Sequence, residues 1–211
     1  MHTKYIVTAG KPLSQADKAL ILVHGRGGRA GDILFLADEL NVADYALLAP
    51  QATGNSWYPY SFLMAPAKNE PWLSSSIDIL KQLVAEINAA GISSENIYFL
   101  GFSQGACLTL EFVTRHATRY GGVAAFTGGL IGDRIYPENY KGGFGGTPIF
   151  IGTSDPDPHV PVQRVHATTK ILLEMNAVVT EEVYPMMGHT ISQTEIDKAN
   201  DLIFNKAIPQ T

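Results

Sequence analysis

The sequence predicts an α/β fold with a doubly wound, mostly parallel sheet and helices on both of its faces. Short apolar segments of strand length alternate along the chain with longer segments of helical periodicity. One apolar segment, residues 19–23, contains no polar residue, which is typical of a strand covered by helices on both faces. The 211 residues contain no repeat, low-complexity segment or linker, so a single domain over residues 1–211 is expected.

The amino-terminal part of the chain begins this alternation. Residues 4–8 form a predicted edge strand, because an Ala-Gly-Lys-Pro turn sequence follows them directly. Residues 19–23 form the first buried strand, and residues 32–40 follow as a short amphipathic helix. Residues 45–49 are apolar and end at a proline, which predicts another buried strand.

A long aromatic loop comes next. Residues 52–71 show neither strand nor helical periodicity, and they carry Trp57, Tyr58 and several turn-forming residues. Long loops inside compact domains are usually functional. Trp57 and Tyr58 are therefore expected to form the wall of a substrate pocket.

The second half of the chain repeats the same alternation. Residues 74–90 carry an apolar stripe at helical spacing. The β-prone run at residues 97–100 predicts a buried strand, and residues 106–112 predict a helix. Further strands are predicted over residues 123–126, 147–151 and 178–184, and further helices over residues 162–175 and 192–205.

Composition excludes several classes of function. The net charge is −5 and no basic run occurs, so nucleic acid is not expected as a partner. The single cysteine, Cys107, rules out an internal disulfide and fits a reducing compartment. No signal peptide is recognisable, and no apolar run approaches the roughly 20 residues that span a membrane. A cytoplasmic protein without stable membrane association is expected.

The most informative motif is Gly101-Phe102-Ser103-Gln104-Gly105, a Gly-x-Ser-x-Gly sequence. A predicted strand precedes it and a predicted helix follows, which is the context of a nucleophile elbow. Such a turn lifts the serine hydroxyl clear of the backbone. The motif therefore predicts Ser103 as a nucleophile, with the backbone N–H of Gln104 at a helix N-terminus beside the reacting carbon.

A serine nucleophile needs a base and an acid that orients the base. His189 follows the last predicted strand, and the chain order serine, aspartate, histidine is that of the α/β-hydrolases. Two aspartates, Asp155 and Asp157, follow the strand at residues 147–151, and both precede proline. Local backbone preference cannot choose between them.

The segment His24-Gly25-Arg26-Gly27-Gly28 ends a predicted strand and opens a helix. One interpretation is an oxyanion hole, in which the backbone N–H of Arg26 joins that of Gln104. A competing interpretation is a dinucleotide site, since residues 25–30 fit Gly-x-Gly-x-x-Ala. That site requires an acidic residue at the end of the next strand, where the chain has Ala49-Pro50-Gln51 instead. Because metal-binding spacings are also absent, no cofactor is expected.

Together these residues resemble the phospholipase/carboxylesterase family of α/β-hydrolases, which includes the acyl-protein thioesterases. The matching segments run through nearly the whole chain in the family's order. They are His24-Gly25, Ser56-Trp57-Tyr58, the motif at residues 101–105, Asp157-Pro158-His159-Val160-Pro161 and Gly188-His189.

The resemblance implies a small α/β-hydrolase fold without a cap domain. It implies Ser103, Asp157 and His189 as the catalytic triad and the amides of Arg26 and Gln104 as the oxyanion hole. Two features depart from the thioesterases: Asp155-Pro156 is inserted before Asp157, and the loop at residues 51–71 differs. Protein depalmitoylation is therefore not implied.

The sequence thus predicts a serine carboxylesterase that hydrolyses small to medium acyl esters through an acyl-enzyme. A thioesterase or lysophospholipase would use the same triad and remains an alternative. A non-catalytic ligand receptor is an alternative of another class, and its signature would be a broken triad. The expected partner is a small-molecule ester, and the sequence leaves a homodimer open.

Overall fold

A computed structural model describes residues 1–204, and a seven-stranded sheet runs through them. Its strands are β1 (Ile6–Gly10), β2 (Ala19–Val23), β3 (Ala46–Pro50), β4 (Ile97–Phe102), β5 (Gly122–Phe126), β6 (Pro148–Asp155) and β7 (Val178–Pro185). The spatial order is β1-β3-β2-β4-β5-β6-β7, with β1 antiparallel to β3 and every other pair parallel. The predicted α/β class and mostly parallel sheet are confirmed.

Five α-helices connect these strands within the described residues. They are α1 (Ala30–Leu34), α2 (Trp72–Ala89), α3 (Gln104–Arg115), α4 (Val162–Glu174) and α5 (Gln193–Leu202). None of them is long and apolar enough to cross a membrane. No helical insertion forms a cap domain over the part of the chain that is described.

The alternation of side chains along the strands produces two hydrophobic layers. In β2, Ile21 and Val23 pack into the layer that α2, α3 and α4 cover. Leu20 and Leu22, which alternate with them along the strand, pack into the opposite layer with α1 and α5. Burial of one such side chain is worth about 1.5–3 kcal/mol, so covering both faces accounts for the uninterrupted apolar sequence of this strand.

The helix predicted over residues 32–40 is the clearest local difference. The chain forms α1 first and then a 3₁₀ helix at Phe35–Glu39. Apolar residues spaced three apart suit a 3₁₀ turn as well as an α-helix, so the pattern does not separate the two. The final helix, predicted over residues 192–205, is found as α5, and residue 205 lies outside the described residues.

Strand β6 is longer than predicted, and its length positions the functional loop. The sequence predicted an end at residue 151, where the apolar run is followed by Gly152-Thr153-Ser154. In the structure these residues continue the parallel pairing with β7, which extends to Asp155 opposite Pro185. Pairing with a neighbouring strand outweighs the local turn preference.

Candidate active site

Ser103 occupies a sharp turn between β4 and α3, as predicted for a nucleophile elbow. Its backbone has φ 53° and ψ −118°, a conformation that non-glycine residues rarely adopt and that functional sites can retain. A Cβ atom at Gly101 would lie 2.6 Å from the carbonyl oxygen of Gly105, and one at Gly105 would overlap the carbonyl oxygen of Val23. Glycine on both sides of the serine is therefore required for the turn to pack.

The structure brings together Ser103, His189 and Asp157. Nε2 of His189 lies 2.8 Å from Oγ of Ser103, and Nδ1 lies 2.8 Å from Oδ2 of Asp157. The ionised carboxylate can only accept, so Nδ1 carries the proton and Nε2 accepts from the serine hydroxyl. The imidazole is 20% exposed, and the Asp157 side chain is fully buried. This arrangement can draw a proton from the hydroxyl of Ser103.

The Asp157 carboxylate is held by the loop that carries it. Its Oδ1 accepts hydrogen bonds from the backbone N–H groups of His159 and Val160, both at 2.8 Å. Burial opposes ionisation, but these bonds and the bond from His189 outweigh it and lower the pKa of Asp157. The carboxylate is therefore ionised at neutral pH.

Asp155, the alternative acid, lies at the end of β6 with its side chain exposed. Its side chain makes no hydrogen bond to any residue between 1 and 204, whereas its backbone oxygen accepts from the N–H of Met186 at 3.1 Å. Of the two candidates, Asp157 is thus the one whose carboxylate contacts His189.

The loop after β7 places the imidazole. The hydroxyl of Ser154 accepts a hydrogen bond from the N–H of Gly188 at 2.9 Å, and Gly188 has φ 82°. The rings of Phe102 and His159 lie 5.3 and 4.8 Å from that of His189. Neither Ser154 nor Phe102 was predicted to take part in the site, because only the folded chain shows that they contact this loop.

The peptide between Gly25 and Arg26 has a fixed orientation. Nδ1 of His24 donates to the Gly25 carbonyl oxygen at 2.7 Å, and the N–H of Gly28 donates to the same oxygen at 3.1 Å. In a trans peptide the N–H points away from the carbonyl oxygen. The Arg26 N–H donates to no acceptor within the described residues. It is therefore available to an oxyanion.

The second predicted donor, the N–H of Gln104, belongs to the first residue of α3. Backbone N–H groups in the first helical turn have no intrahelical partner, and they carry the positive end of the helix dipole. Because the N–H of Gln104 comes directly after Ser103, it can stabilise negative charge that develops beside the serine.

The imidazole of His24 is neutral. Burial lowers its pKa, and the bond to the Gly25 carbonyl opposes that shift only partly. Its Nε2 accepts a hydrogen bond from the backbone N–H of Ala52 at 3.1 Å, so the ring proton is on Nδ1. In the sequence His24 stands out only as part of a motif, but its contacts identify it as a residue that positions the Arg26 amide.

The side chain of Gln104 fastens the aromatic loop to the elbow. Its Oε1 accepts from the Trp57 N–H at 3.0 Å, and its Nε2 donates to the Tyr58 carbonyl oxygen at 2.8 Å. The side chain is buried, so both bonds are shielded from water. The residue that offers its amide beside Ser103 thereby also fixes the loop.

The guanidinium of Arg26 fastens the same loop from the exposed side. It donates to Ser56 Oγ at 2.9 Å, to the Pro59 carbonyl oxygen at 3.0 Å and to the Tyr60 carbonyl oxygen at 2.8 Å. Planar guanidinium groups suit such multiple contacts. Both predicted oxyanion-hole residues therefore order the loop with their side chains.

The structure corrects the prediction that Trp57 lines the pocket. Trp57 is 0% exposed, and its indole N–H donates to the His24 carbonyl oxygen at 2.8 Å. Its ring packs against that of His24, with 5.0 Å between the ring centroids. A tryptophan whose one polar atom has a partner gains most by burial in the core. Tyr58, in contrast, does line the cavity.

Replacing Trp57 with alanine is expected to lower the free energy of unfolding by about 3–5 kcal/mol, because it removes a fully buried ring and leaves a cavity. Denaturant-induced unfolding measures the change. Tyr60→Ala is the control, because Tyr60 lies in the same loop and its side chain is 57% exposed. Equal, small losses in the two variants would contradict the assignment of Trp57 to the core.

A cavity of about 590 Å³ opens beside Ser103. Its lining includes both polar and apolar side chains. The lining includes Ser103, His189, Tyr58, Phe62, Cys107 and Arg26. A volume of this size is typical of sites for small molecules.

The fold and this site define an α/β-hydrolase with a serine elbow. The profile of the family described as Phospholipase/Carboxylesterase matches residues 4–206. The chain therefore belongs to the phospholipase/carboxylesterase family, and the resemblance noted in the sequence is confirmed.

Solved and curated relatives agree with this family. A crystal structure of a phospholipase/carboxylesterase from Dyadobacter fermentans is 53% identical, has a TM-score of 0.96, and the match covers 97% of this chain and 98% of that chain. Acyl-protein thioesterase 1 of Eremothecium gossypii is 27% identical over 91% of this chain and 88% of its own length.

A probable carboxylesterase SOBER1-like protein of Arabidopsis thaliana is 30% identical over 144 residues. That match covers 67% of this chain and 55% of the relative, so the chain spans only about half the length of this curated relative.

Proposed function

We propose that this protein is a serine carboxylesterase that hydrolyses small to medium acyl esters through an acyl-enzyme. The observation that carries the proposal is the continuous hydrogen-bonded chain from Ser103 through His189 to Asp157. Family membership supports hydrolysis as the class of reaction. No cofactor takes part in the proposed reaction.

In the proposed mechanism Oγ of Ser103 attacks the ester carbonyl carbon while Nε2 of His189 takes the hydroxyl proton. The carbonyl oxygen becomes negatively charged and accepts from the N–H groups of Arg26 and Gln104. One such donor is typically worth about 10²–10³ in rate. His189 then gives its proton to the leaving alcohol, and the acyl group stays on Ser103.

Water completes the cycle by the same route in reverse. His189 removes a proton from the water, the resulting tetrahedral intermediate uses the same two amides, and the acid product leaves Ser103. Asp157 holds the imidazole in the tautomer with the proton on Nδ1 and stabilises the imidazolium at each transfer. No residue changes its net protonation over the cycle.

A thioesterase is the second candidate, and the relative named acyl-protein thioesterase 1 favours it. Both reactions pass through an acyl-serine, so the triad geometry does not separate them. A lysophospholipase would also share the chemistry. A non-catalytic receptor is disfavoured, because the hydrogen-bonded triad is intact. A cytoplasmic location remains a prediction, supported by the single cysteine.

We expect a fluorophosphonate probe to add once to the protein, on Ser103, because its hydroxyl is the one hydrogen-bonded to His189. Mass spectrometry of the intact protein and of its peptides measures the addition. Ser103→Ala should abolish the labelling, and Ser14→Ala, which changes an exposed serine at the opposite end of the strands, should leave it unchanged. Stoichiometric labelling at another residue would refute the assignment.

A panel of p-nitrophenyl esters of increasing acyl length, with an acyl thioester assayed in parallel, separates the two candidate functions. A carboxylesterase should show its highest kcat/KM on a short or medium oxygen ester. A kcat/KM that is higher for the thioester of the same acyl group would instead favour the thioesterase.

A further inference from the structure

The hydroxyl of Tyr58 is buried and has no oxygen or nitrogen partner within the described residues. Tyr58 is 1% exposed, and no oxygen or nitrogen of residues 1–204 hydrogen-bonds its hydroxyl oxygen. Buried tyrosine hydroxyls usually have a partner, because an unmade hydrogen bond in the interior is unfavourable. A buried Tyr58 hydroxyl without an oxygen or nitrogen partner therefore needs a physical reason.

Tyr58 forms part of the lining of the cavity beside Ser103. Its hydroxyl lies against the thiol of Cys107, which lines the same cavity. Burial raises the pKa of the Cys107 thiol to about 12, so the thiol stays protonated. A neutral thiol is a weak hydrogen-bonding group and cannot replace an oxygen acceptor.

The charged groups nearest to this hydroxyl are already occupied. Glu111 accepts from Arg115, from the Ile131 N–H and from Tyr140. The guanidinium of Arg26 donates to three oxygens of the aromatic loop. Burial raises the pKa of Tyr58 well above its ordinary value, so its hydroxyl stays protonated and can donate a hydrogen bond.

We propose that Tyr58 determines substrate specificity: its hydroxyl donates a hydrogen bond to a neutral oxygen in the acyl chain of the ester. The substrate class is then an ester whose acyl chain carries an ether, hydroxyl or carbonyl oxygen, and a plain hydrocarbon chain is a poorer substrate. The inference rests on the proposed esterase function and on the use of this cavity for the acyl group.

The physical basis is the cost of a buried polar group that has no hydrogen-bond acceptor. A hydrocarbon chain in the cavity leaves the Tyr58 hydroxyl in that condition. An oxygen at the correct position supplies the acceptor without bringing a charge into the cavity, which would need its own partner. The difference predicts a preference of roughly 10- to 100-fold in kcat/KM, the size expected for one buried neutral hydrogen bond.

The test is a set of paired p-nitrophenyl esters in which one methylene of the acyl chain is replaced by an ether oxygen. The oxygen is moved one position at a time along the chain, and each kcat/KM is divided by the rate of hydroxide hydrolysis to remove intrinsic reactivity. The wild type should prefer the ether ester over its all-carbon partner at one position, by at least about 10-fold.

Tyr58→Phe keeps the ring and removes the donor, so it should bring that preference close to unity. The change should fall on the ether ester, whose kcat/KM should drop towards that of its all-carbon partner. Cys107→Ser is a second variant that retains Tyr58: its hydroxyl oxygen can accept from Tyr58, which should also reduce the preference. Tyr5→Phe, at a residue that is 62% exposed, is the control and should retain it.

Two results overturn the inference while the esterase function stands: no ether preference at any position, or an equal preference in the wild type and Tyr58→Phe. If the wild type hydrolyses none of the esters, the proposed function fails and the inference fails with it. Melting temperatures of all variants establish that each is folded when its kinetics are measured.

Discussion

Replacing Ser103 with alanine should lower kcat for a p-nitrophenyl ester by on the order of 10⁶-fold, the loss that follows removal of the nucleophile in subtilisin. The reason is that no other group can form the acyl-enzyme from the geometry described. Residual hydrolysis should come from the two amides and the bound substrate, which alone accelerate the reaction over water by about 10³–10⁴.

The same variant should fold as the wild type does. The Oγ atom of Ser103 has one hydrogen bond within the described residues, to His189, and alanine fits the same turn. Circular dichroism and thermal unfolding measure this, with Ser14→Ala as the matched serine control. A Ser103→Ala protein that keeps a tenth or more of the activity would show that another residue is the nucleophile.

The elbow could be predicted from the sequence because its determinants are local. An apolar strand, a serine between two glycines and a helix follow one another within a dozen residues. The close approach of Gly101 and Gly105 to neighbouring backbone atoms explains why these positions carry glycine. His189 was predicted in the same way, from its place directly after the last strand.

The aromatic loop could not be resolved in this way. Trp57 and Tyr58 are neighbours in a segment without periodicity, and both are buried, yet only Tyr58 lines the cavity. The difference arises from contacts that are distant in sequence. Gln104 bonds the backbone of both residues, and the Trp57 indole donates to the His24 carbonyl oxygen. No local pattern contains that information.

The choice between the two aspartates shows a different limit. Both follow the same strand, and local preference treats them alike. The pairing of β6 with β7 decides the outcome, because it extends the strand to Asp155 and so leaves Asp157 in the loop beyond it. The matching Asp-Pro-His-Val-Pro segment pointed to Asp157, but the physical reason lies in a strand pairing between distant parts of the chain.

Asp157→Asn and Asp155→Asn form a matched pair that tests this assignment. Each removes one negative charge and keeps the shape of the side chain, and the two positions are close together in the sequence. Asp155→Asn therefore measures the effect of losing a charge in the same segment without losing the hydrogen bond to the His189 imidazole. The measurement is kcat/KM for one ester at neutral pH, with thermal unfolding alongside.

The Asp157→Asn variant should lose about 10⁴ in kcat/KM, the loss in kcat that the equivalent change produces in a serine protease triad. The backbone N–H groups of His159 and Val160 hold the amide oxygen, so the amide presents its NH₂ group, a donor, to Nδ1 of His189. The imidazole then adopts the wrong tautomer, and the imidazolium loses its counter-charge. Because the pKa of Asp157 is lowered, the native carboxylate is ionised at the assay pH, and the full effect should be seen there.

The Asp155→Asn variant should lose less than about tenfold on the same scale. Its side chain is exposed, and within residues 1–204 it makes no hydrogen bond, so the charge acts on His189 only through water. Both variants should remain folded, although Asp157→Asn gives up the stability that a carboxylate with a lowered pKa contributes at neutral pH. If the two losses are reversed, Asp155 is the acid in solution, and the loop after β6 must adopt a different conformation during catalysis.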